Sequence, residues 1–120
     1  MTSLYSFLSA ELVPPSIQAS DRVLESITDL RDIRTNIGST VRMLESSSLT
    51  LICQASGVPR PIITWQLNGK LLERSDDVII NEDALVLNKT KKEQTGIITC
   101  TAKNVGGNIS VASQLTVVGT

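Results

Sequence analysis

Apolar and polar residues alternate along the chain from about residue 40 onward, in short segments separated by turn residues. The segments are rich in Val, Ile, Leu and Thr, which favours strands over helices. Asn68-Gly69 and the run Asn104-Val-Gly-Gly107 indicate tight turns. The pattern predicts about seven strands, or slightly more, at residues 40–44, 48–55, 61–67, 77–81, 84–88, 96–103 and 108–118.

Residues 1–35 lack this alternation, and we interpret them as a leader or linker in front of a domain that spans residues 36–118. Pro14 and Pro15 indicate a stiff linker over residues 11–16. Asp21 could cap a short helix over residues 21–31, and a disordered leader is the alternative. That helix would have one apolar side formed by Val23, Leu24, Ile27 and Leu30. Residues 4–10 are the only signal-like stretch, but they lack a basic start and are broken by serine.

The alternation within the strands predicts which side chains face the core. Leu49 and Leu51 share a face with Cys53, and Ile98 and Ala102 share a face with Cys100. Both cysteines therefore point inward. Trp65 follows Cys53 by twelve residues and has Ile63 and Leu67 on its own face. A large indole ring is thus aimed at the place where the two sulfur atoms could meet.

These features resemble an immunoglobulin domain of the I-set, from about Gly38 to Val118. The resemblance implies an all-β fold, a two-sheet sandwich of about seven to nine strands with Greek-key connections. It also implies a disulfide between Cys53 and Cys100 with Trp65 packed on it, although two buried free thiols remain the alternative. The motifs that carry it are Cys53-Gln-Ala-Ser-Gly57, Pro59-Arg-Pro61, Trp65, Asn68-Gly69-Lys-Leu71, Leu85-Val-Leu87, Gly96, Cys100-Thr-Ala102-Lys-Asn104 and Gly106.

Two further features refine the resemblance. Ile33-Arg-Thr-Asn-Ile-Gly38, together with the Cys-Gln-Ala-Ser-Gly-Val-Pro run, is similar to modules of ADAMTS-like glycoproteins and papilin. The family usually has Asp, Gly and Tyr at six, four and two residues before the second cysteine, where this chain has Gln94, Gly96 and Ile98. The tyrosine that would tie this corner to the backbone is missing. We therefore expect a looser corner at residues 88–96 than in typical relatives.

Composition narrows the possible functions. The 120 residues include 11 Lys and Arg and 12 Asp and Glu, which gives a formal net charge of −1 and no net attraction to nucleic acid. No histidine is present, so the commonest general base and zinc ligand is missing. We therefore expect no enzyme, no cofactor and no metal site. Nowhere do eighteen apolar residues run together, so we expect no direct membrane insertion.

Two N-glycosylation sequons favour an extracellular setting. Asn88-Lys-Thr90 and Asn108-Ile-Ser110 both fall at predicted strand ends or turns, where a glycan could be accommodated. With the expected disulfide, they indicate a secreted, matrix-associated or cell-adhesion protein. The function expected is a protein-interaction or spacer module. The alternative is an intracellular structural module of a muscle or cytoskeletal protein, with reduced thiols.

A binding surface can also be proposed from the alternation. Ile52, Ile79 and Val86 fall on the outer side of one sheet and could form an apolar patch for another protein, extracellular or a second copy. The opposite sheet is expected to present a polar outer side of Thr64, Gln66, Thr99, Thr101 and Lys103. A glycosaminoglycan site is expected if four lysines share a face: Lys89, Lys91, Lys92 and Lys103. One carboxylate cluster, interpreted as solvated charge, comprises Asp76, Asp77, Glu82 and Asp83.

Overall fold

The fold is described for residues 12–119 from a computed structural model of the chain. These residues form twelve strands and a single one-turn 3-10 helix, Lys92–Gln94. The predicted signal-like stretch at residues 4–10 lies outside the described residues. The strands are β1 Val13–Gln18, β2 Val23–Ser26, β3 Asp32–Asn36, β4 Thr40–Leu44, β5 Ser48–Ile52, β6 Gln54–Val58, β7 Ile62–Leu67, β8 Lys70–Leu71, β9 Val78–Ile80, β10 Ala84–Leu87, β11 Gly96–Asn104 and β12 Gly107–Val118.

Two sheets pack face to face, as the all-β sandwich prediction requires. One sheet has four strands in the order β3-β5-β10-β9, and the other has six in the order β2-β4-β12-β11-β7-β8. β1 pairs separately with β6. Alternate residues of each strand point between the sheets, where they are removed from water. The largest fully buried side chains are Trp65, Ile37, Met43, Leu49, Leu51, Leu85, Leu87, Ile98 and Leu115.

The strands from residue 40 onward confirm the positions predicted from the alternation, with small shifts at their ends. The predicted strand at 48–55 is divided into β5 and β6, because Cys53 interrupts the ladder between them. The predicted turn at Asn68-Gly69 joins β7 to β8, and both residues have positive φ, 53° and 81°. Positive φ at both central positions is what a two-residue hairpin of this twist requires.

The helix predicted over residues 21–31 is wrong, because that segment contains β2. β2 runs parallel to β4 and forms the edge of the six-stranded sheet. Its side chains alternate with a period of two: Val23 is 78% exposed, whereas Leu24 packs against the core. Two adjacent apolar residues therefore face opposite ways, which no helical face allows.

The linker predicted at residues 11–16 and the domain boundary at residue 36 also need correction. β1 is hydrogen-bonded antiparallel to β6 in spite of its two prolines, and the Ser16 and Ser56 hydroxyls lie 2.8 Å apart. β3 runs parallel to β5 and brings Ile33 against the core. The folded unit therefore extends from Val13. Proline is tolerated in β1 because that strand has a neighbour on one side only.

Buried hydroxyl groups fasten the N-terminal strands to the rest of the sandwich. The Thr35 and Ser39 hydroxyls are 2.7 Å apart, and Ser39 also donates to the Ser20 hydroxyl at 3.0 Å. The backbone of residue 20 crosses so close to Gly38 that a Cβ there would overlap the Ser20 carbonyl. Gly38 has a φ of +104°, which also favours glycine. The segment before residue 36 is thus held by specific contacts.

Candidate functional site

The centre of the sandwich holds the disulfide and the tryptophan expected from the resemblance. Cys53 and Cys100 are bonded at 2.01 Å and are fully buried. Trp65 lies directly opposite Cys100 in the β7–β11 ladder and is 1% exposed. The bridge joins the strand segment between β5 and β6 to the other sheet. The disulfide is confirmed, and Trp65 is a buried neighbour of Cys100 in the adjacent strand.

The outer side of the four-stranded sheet brings together the three predicted partner-binding residues, Ile52, Ile79 and Val86, which we call the four-stranded face. Val86 on β10 is directly opposite Ile79 on β9. Ile52 on β5 pairs with Ala84, and is thus the diagonal neighbour of Val86. Ile79 is 39% exposed, and the other two are half-buried. The shared face follows the predicted alternation; binding there stays a prediction.

Opposite charges flank this face at its two edges. Arg34 on β3 pairs with Thr50, which pairs with Val86, so Arg34 and Ile79 lie at opposite ends of one cross-strand row. Asp77 precedes β9 at the far edge, where its carbonyl accepts a hydrogen bond from the Asn88 N–H at 2.9 Å. Among the ion pairs of residues 12–119, none involves Arg34. Sequence reasoning missed Arg34 because it assigned residues 1–35 to a leader.

The outer side of the six-stranded sheet is less polar than expected. Register places Thr64 opposite Thr101 and Gln66 opposite Thr99, as the alternation predicts. Ile62, however, is 73% exposed on the same side, and Val105 in the β11–β12 turn is 80% exposed. They line an apolar groove, the Ile62 groove, together with Thr64, Thr101, Lys103 and Asn104. The alternation could have identified Ile62, but a turn residue such as Val105 carries no such signal.

The two sequons lie in different environments. Asn108 is exposed on β12, directly opposite Lys103, and Ser110 of the same sequon pairs with Thr101. The Ser110 and Thr101 hydroxyls are 2.7 Å apart. Asn88 follows β10 and is half-buried, and the Thr90 of its sequon is 2% exposed.

The four lysines of the glycosaminoglycan prediction lie at two separate places on the domain. Lys89, Lys91 and Lys92 lie at the 88–96 corner, but Lys103 is near the other end of β11, roughly 20 Å away along the strand. The condition for the glycosaminoglycan prediction, four lysines on one face, is therefore not met. In the carboxylate cluster, Glu82 forms an ion pair with Arg60. Within residues 12–119, no three acidic, histidine or cysteine side chains are grouped as metal ligands would be.

A shallow cleft lies above the disulfide, between the β6–β7 loop and the β9–β10 turn. Its floor includes Cys53, Ala55 and Ile63, and its rim carries the Arg60–Glu82 pair and Arg74. The rim mixes both signs of charge, so it does not select a ligand of either sign.

Comparison with known proteins assigns the family. The family model described as the immunoglobulin I-set domain matches residues 30–117. The chain belongs to the immunoglobulin I-set family. Domains of this family are generally non-enzymatic modules that mediate interactions. The match begins before residue 36, in agreement with the position of β3 in the sandwich.

Several curated proteins are similar to this I-set domain. Hemicentin-1 of Homo sapiens is 35% identical over 97 residues, which is 79% of this chain and 2% of that protein. ADAMTS-like protein 1 of Homo sapiens is 33% identical over 90 residues, 73% of this chain and 5% of that protein, in line with the resemblance noted in the sequence. A vascular endothelial growth factor receptor, kdr-like, of Danio rerio is 39% identical over 75 residues, 62% of this chain and 6% of the receptor. The chain thus spans less than a tenth of these relatives.

Solved structures share the fold. Titin domain M7 is 26% identical with a TM-score of 0.65, and the alignment covers 89% of this chain and 97% of that one. The immunoglobulin domains 1–5 of Sidekick-1 align with a TM-score of 0.67 at 19% identity over 91% of this chain and 20% of that one. In the part of the chain that the structure describes, no helix is long and apolar enough to cross a membrane.

Proposed function

We propose that this I-set domain is a protein-interaction module of an extracellular protein and that it pairs with a second copy of itself through the four-stranded face. The observation that carries the proposal is the convergence of Ile52, Ile79 and Val86 on one outward side, between Arg34 at one edge and Asp77 at the other. Exposed neighbouring aliphatic side chains favour burial against another surface.

The arrangement of charge favours a second copy as the partner. In a face-to-face pair whose two-fold axis runs parallel to the strands, β3 of one copy lies over β9 of the other. Arg34 lies two residues, or about 7 Å along the strands, from the row of Asp77, so the long Arg34 side chain of each copy must extend along the strand to Asp77 of its partner, and the same contact forms twice. Within one copy, Arg34 is three strand spacings, or about 14 Å, from β9. The two charges are therefore available for contact between copies, where they would fix the register of the apolar side chains.

An extracellular setting is supported by the disulfide and by the relatives. Disulfides persist in oxidising compartments and are rare in the cytosol. Hemicentin, ADAMTS-like protein 1 and the growth factor receptors are extracellular or have extracellular parts. Alkylation of the protein from its native source without reduction tests this setting. An unchanged mass supports it, whereas addition of two alkyl groups would place the domain in a reducing compartment.

Self-association is tested by sedimentation velocity over a range of concentrations. We expect the wild type to associate reversibly and the variant Ile52→Ser/Val86→Ser to remain monomeric, because serine removes the apolar contact area. Val23→Ser is the matched control, since Val23 is exposed on β2 away from this face and its replacement should leave association unchanged. A wild type that stays monomeric throughout, or a double variant that associates equally well, would overturn the proposal.

A second candidate function is an intracellular structural module. It is favoured by the similarity to titin domain M7, which covers nearly all of that domain at 26% identity. The alkylation experiment separates the two settings, because an intracellular module would have free thiols at Cys53 and Cys100.

A further inference from the structure

We infer that Asn108 carries an N-linked glycan and that the first sugars of this glycan cover the Ile62 groove. The inference rests on the extracellular setting proposed above, but not on the four-stranded face. It assigns a glycan to Asn108. It also assigns an occupant to the Ile62 groove, which was not among the surfaces predicted from the sequence.

Cross-strand register places the glycan acceptor beside the groove. Asn108 pairs with Lys103, and Lys103 pairs with Ile62, so the three residues form one row across β12, β11 and β7. Residues directly opposite each other in a ladder point to the same side of the sheet. The row therefore lies on the outer side, and about 10 Å, two strand spacings, separates Asn108 from Ile62.

The cross-strand partner of the sequon serine also lies at the groove. Ser110 pairs with Thr101, a residue that lines the groove, and their hydroxyls are 2.7 Å apart. Both ends of the sequon thus border the groove. Asn108 is also the sequon asparagine that is exposed in the folded domain, whereas Asn88 is half-buried. A glycan added to Asn108 before folding would therefore remain on the outside of the folded sandwich without displacing any buried group.

The lining of the groove suits the inner sugars of an N-linked glycan. N-acetylglucosamine has C–H groups on its ring faces and an acetyl methyl group, which can contact Ile62 and Val105. Its hydroxyl and amide groups can bind the Lys103 ammonium and the Thr64 and Thr101 hydroxyls, which are among the lining residues. The groove offers apolar contact and hydrogen bonding together, and Ile62 would no longer be exposed to water as an isolated aliphatic side chain.

The test uses protein secreted from a cell line that attaches N-linked glycans. Intact-mass measurement of the wild type, Asn108→Gln and Ser110→Ala establishes whether Asn108 is occupied; either substitution should remove one glycan. Hydroxyl-radical footprinting then compares the labelling of individual side chains. We expect Ile62 and Val105 to be labelled several-fold less in the glycosylated wild type than in Asn108→Gln. Ile79, on the four-stranded face, should be labelled equally in both.

Three results would overturn the inference. Asn108 could carry no glycan in the secreted protein. The glycan could be present while Ile62 is labelled strongly in both the wild type and Asn108→Gln. Ile62 could instead be labelled weakly in both proteins, which would identify a second copy or another protein as the occupant. Because the secretory host exposes the protein to N-glycosylation whatever its native compartment, these outcomes are independent of that compartment, which the alkylation experiment tests separately.

Discussion

Two hydrogen bonds join Asn68, in the β7–β8 turn, to Ile97, near the start of β11. The Ile97 N–H donates to Asn68 Oδ1 at 2.9 Å, and the Asn68 N–H donates to the Ile97 carbonyl at 2.8 Å. The neighbouring Gly96 has room for no Cβ, because the Asn68 side chain occupies that position. The β7–β8 turn thus holds the start of β11, next to the corner where this chain lacks the tyrosine of its relatives. We therefore expect slow amide exchange at Ile97.

Replacing Asn68 tests this substitute for the missing tyrosine. Asn68→Gly preserves the left-handed backbone but removes the acceptor for Ile97, and should lower the free energy of unfolding by about 1 kcal/mol. Asn68→Asp is the matched control, since it keeps the Oδ1 acceptor and tolerates a positive φ; its effect should stay within about 0.5 kcal/mol. Urea unfolding measures both. Equal losses in the two variants would show that this hydrogen bond does not stabilise the corner.

The looser corner expected from the sequence stays a prediction, but the structure supplies contacts that oppose it. Gln94 accepts a hydrogen bond from the Lys91 N–H at 2.8 Å, and the Thr95 hydroxyl accepts one from the Val117 N–H at 2.9 Å. Sequence reasoning compared each position with its usual family residue. It could not find replacements such as Asn68, which reach the corner from a distant turn.

Strands in the interior of a sheet could be predicted from the sequence, whereas the edge strand β2 could not. Strands of the sandwich interior, such as β11 around Cys100, bury alternate side chains and show a clear period of two. β2 is a short edge strand with one half-buried apolar residue, Leu24, beside an exposed one, Val23. Because the two apolar residues are adjacent in the sequence, they can be mistaken for part of the apolar side of a helix. Pairing with β4 is a tertiary effect that local sequence does not record.

The candidate sites were predictable to the extent that they follow alternation. Ile52, Ile79 and Val86 share a face because strand residues of one parity point one way. The flanking Arg34 was not predictable once residues 1–35 were taken as a leader. The groove beside Asn108 depends on a turn residue, Val105, whose direction is set by the hairpin and not by a period.

The opposite orientations of Val23 and Leu24 give a test of the N-terminal strands. Leu24→Ser should lower the free energy of unfolding by about 1.5 kcal/mol, because a side chain packed on the core loses its apolar contacts. Val23→Ser should change it by less than about 0.5 kcal/mol, since Val23 is exposed. Thermal and urea unfolding measure both. Equal effects would contradict the strand and restore the helical interpretation.

Removing the disulfide should destabilise the domain strongly. Cys53 and Cys100 are 47 residues apart, and closing a loop of this length stabilises the fold by about 4 kcal/mol through the lost entropy of the unfolded chain. The variant Cys53→Ala/Cys100→Ala should lose about this amount in urea unfolding. Reduced wild type should lose a similar amount. A loss below about 1 kcal/mol would show that the sandwich does not depend on the bridge.

A charge-exchange experiment tests most directly whether the four-stranded face pairs two copies. Arg34→Glu and Asp77→Arg, each alone, place like charges together at both ends of the proposed two-fold contact and should leave the protein monomeric. In a heterodimer formed in an equimolar mixture of the two variants, the new Glu of one copy meets the new Arg of the other at one contact, and the native Arg34–Asp77 pair forms at the other contact. Sedimentation velocity of the mixture should therefore recover the association of the wild type. Association of each variant alone at wild-type strength, or a mixture that stays monomeric, would contradict the proposed pairing.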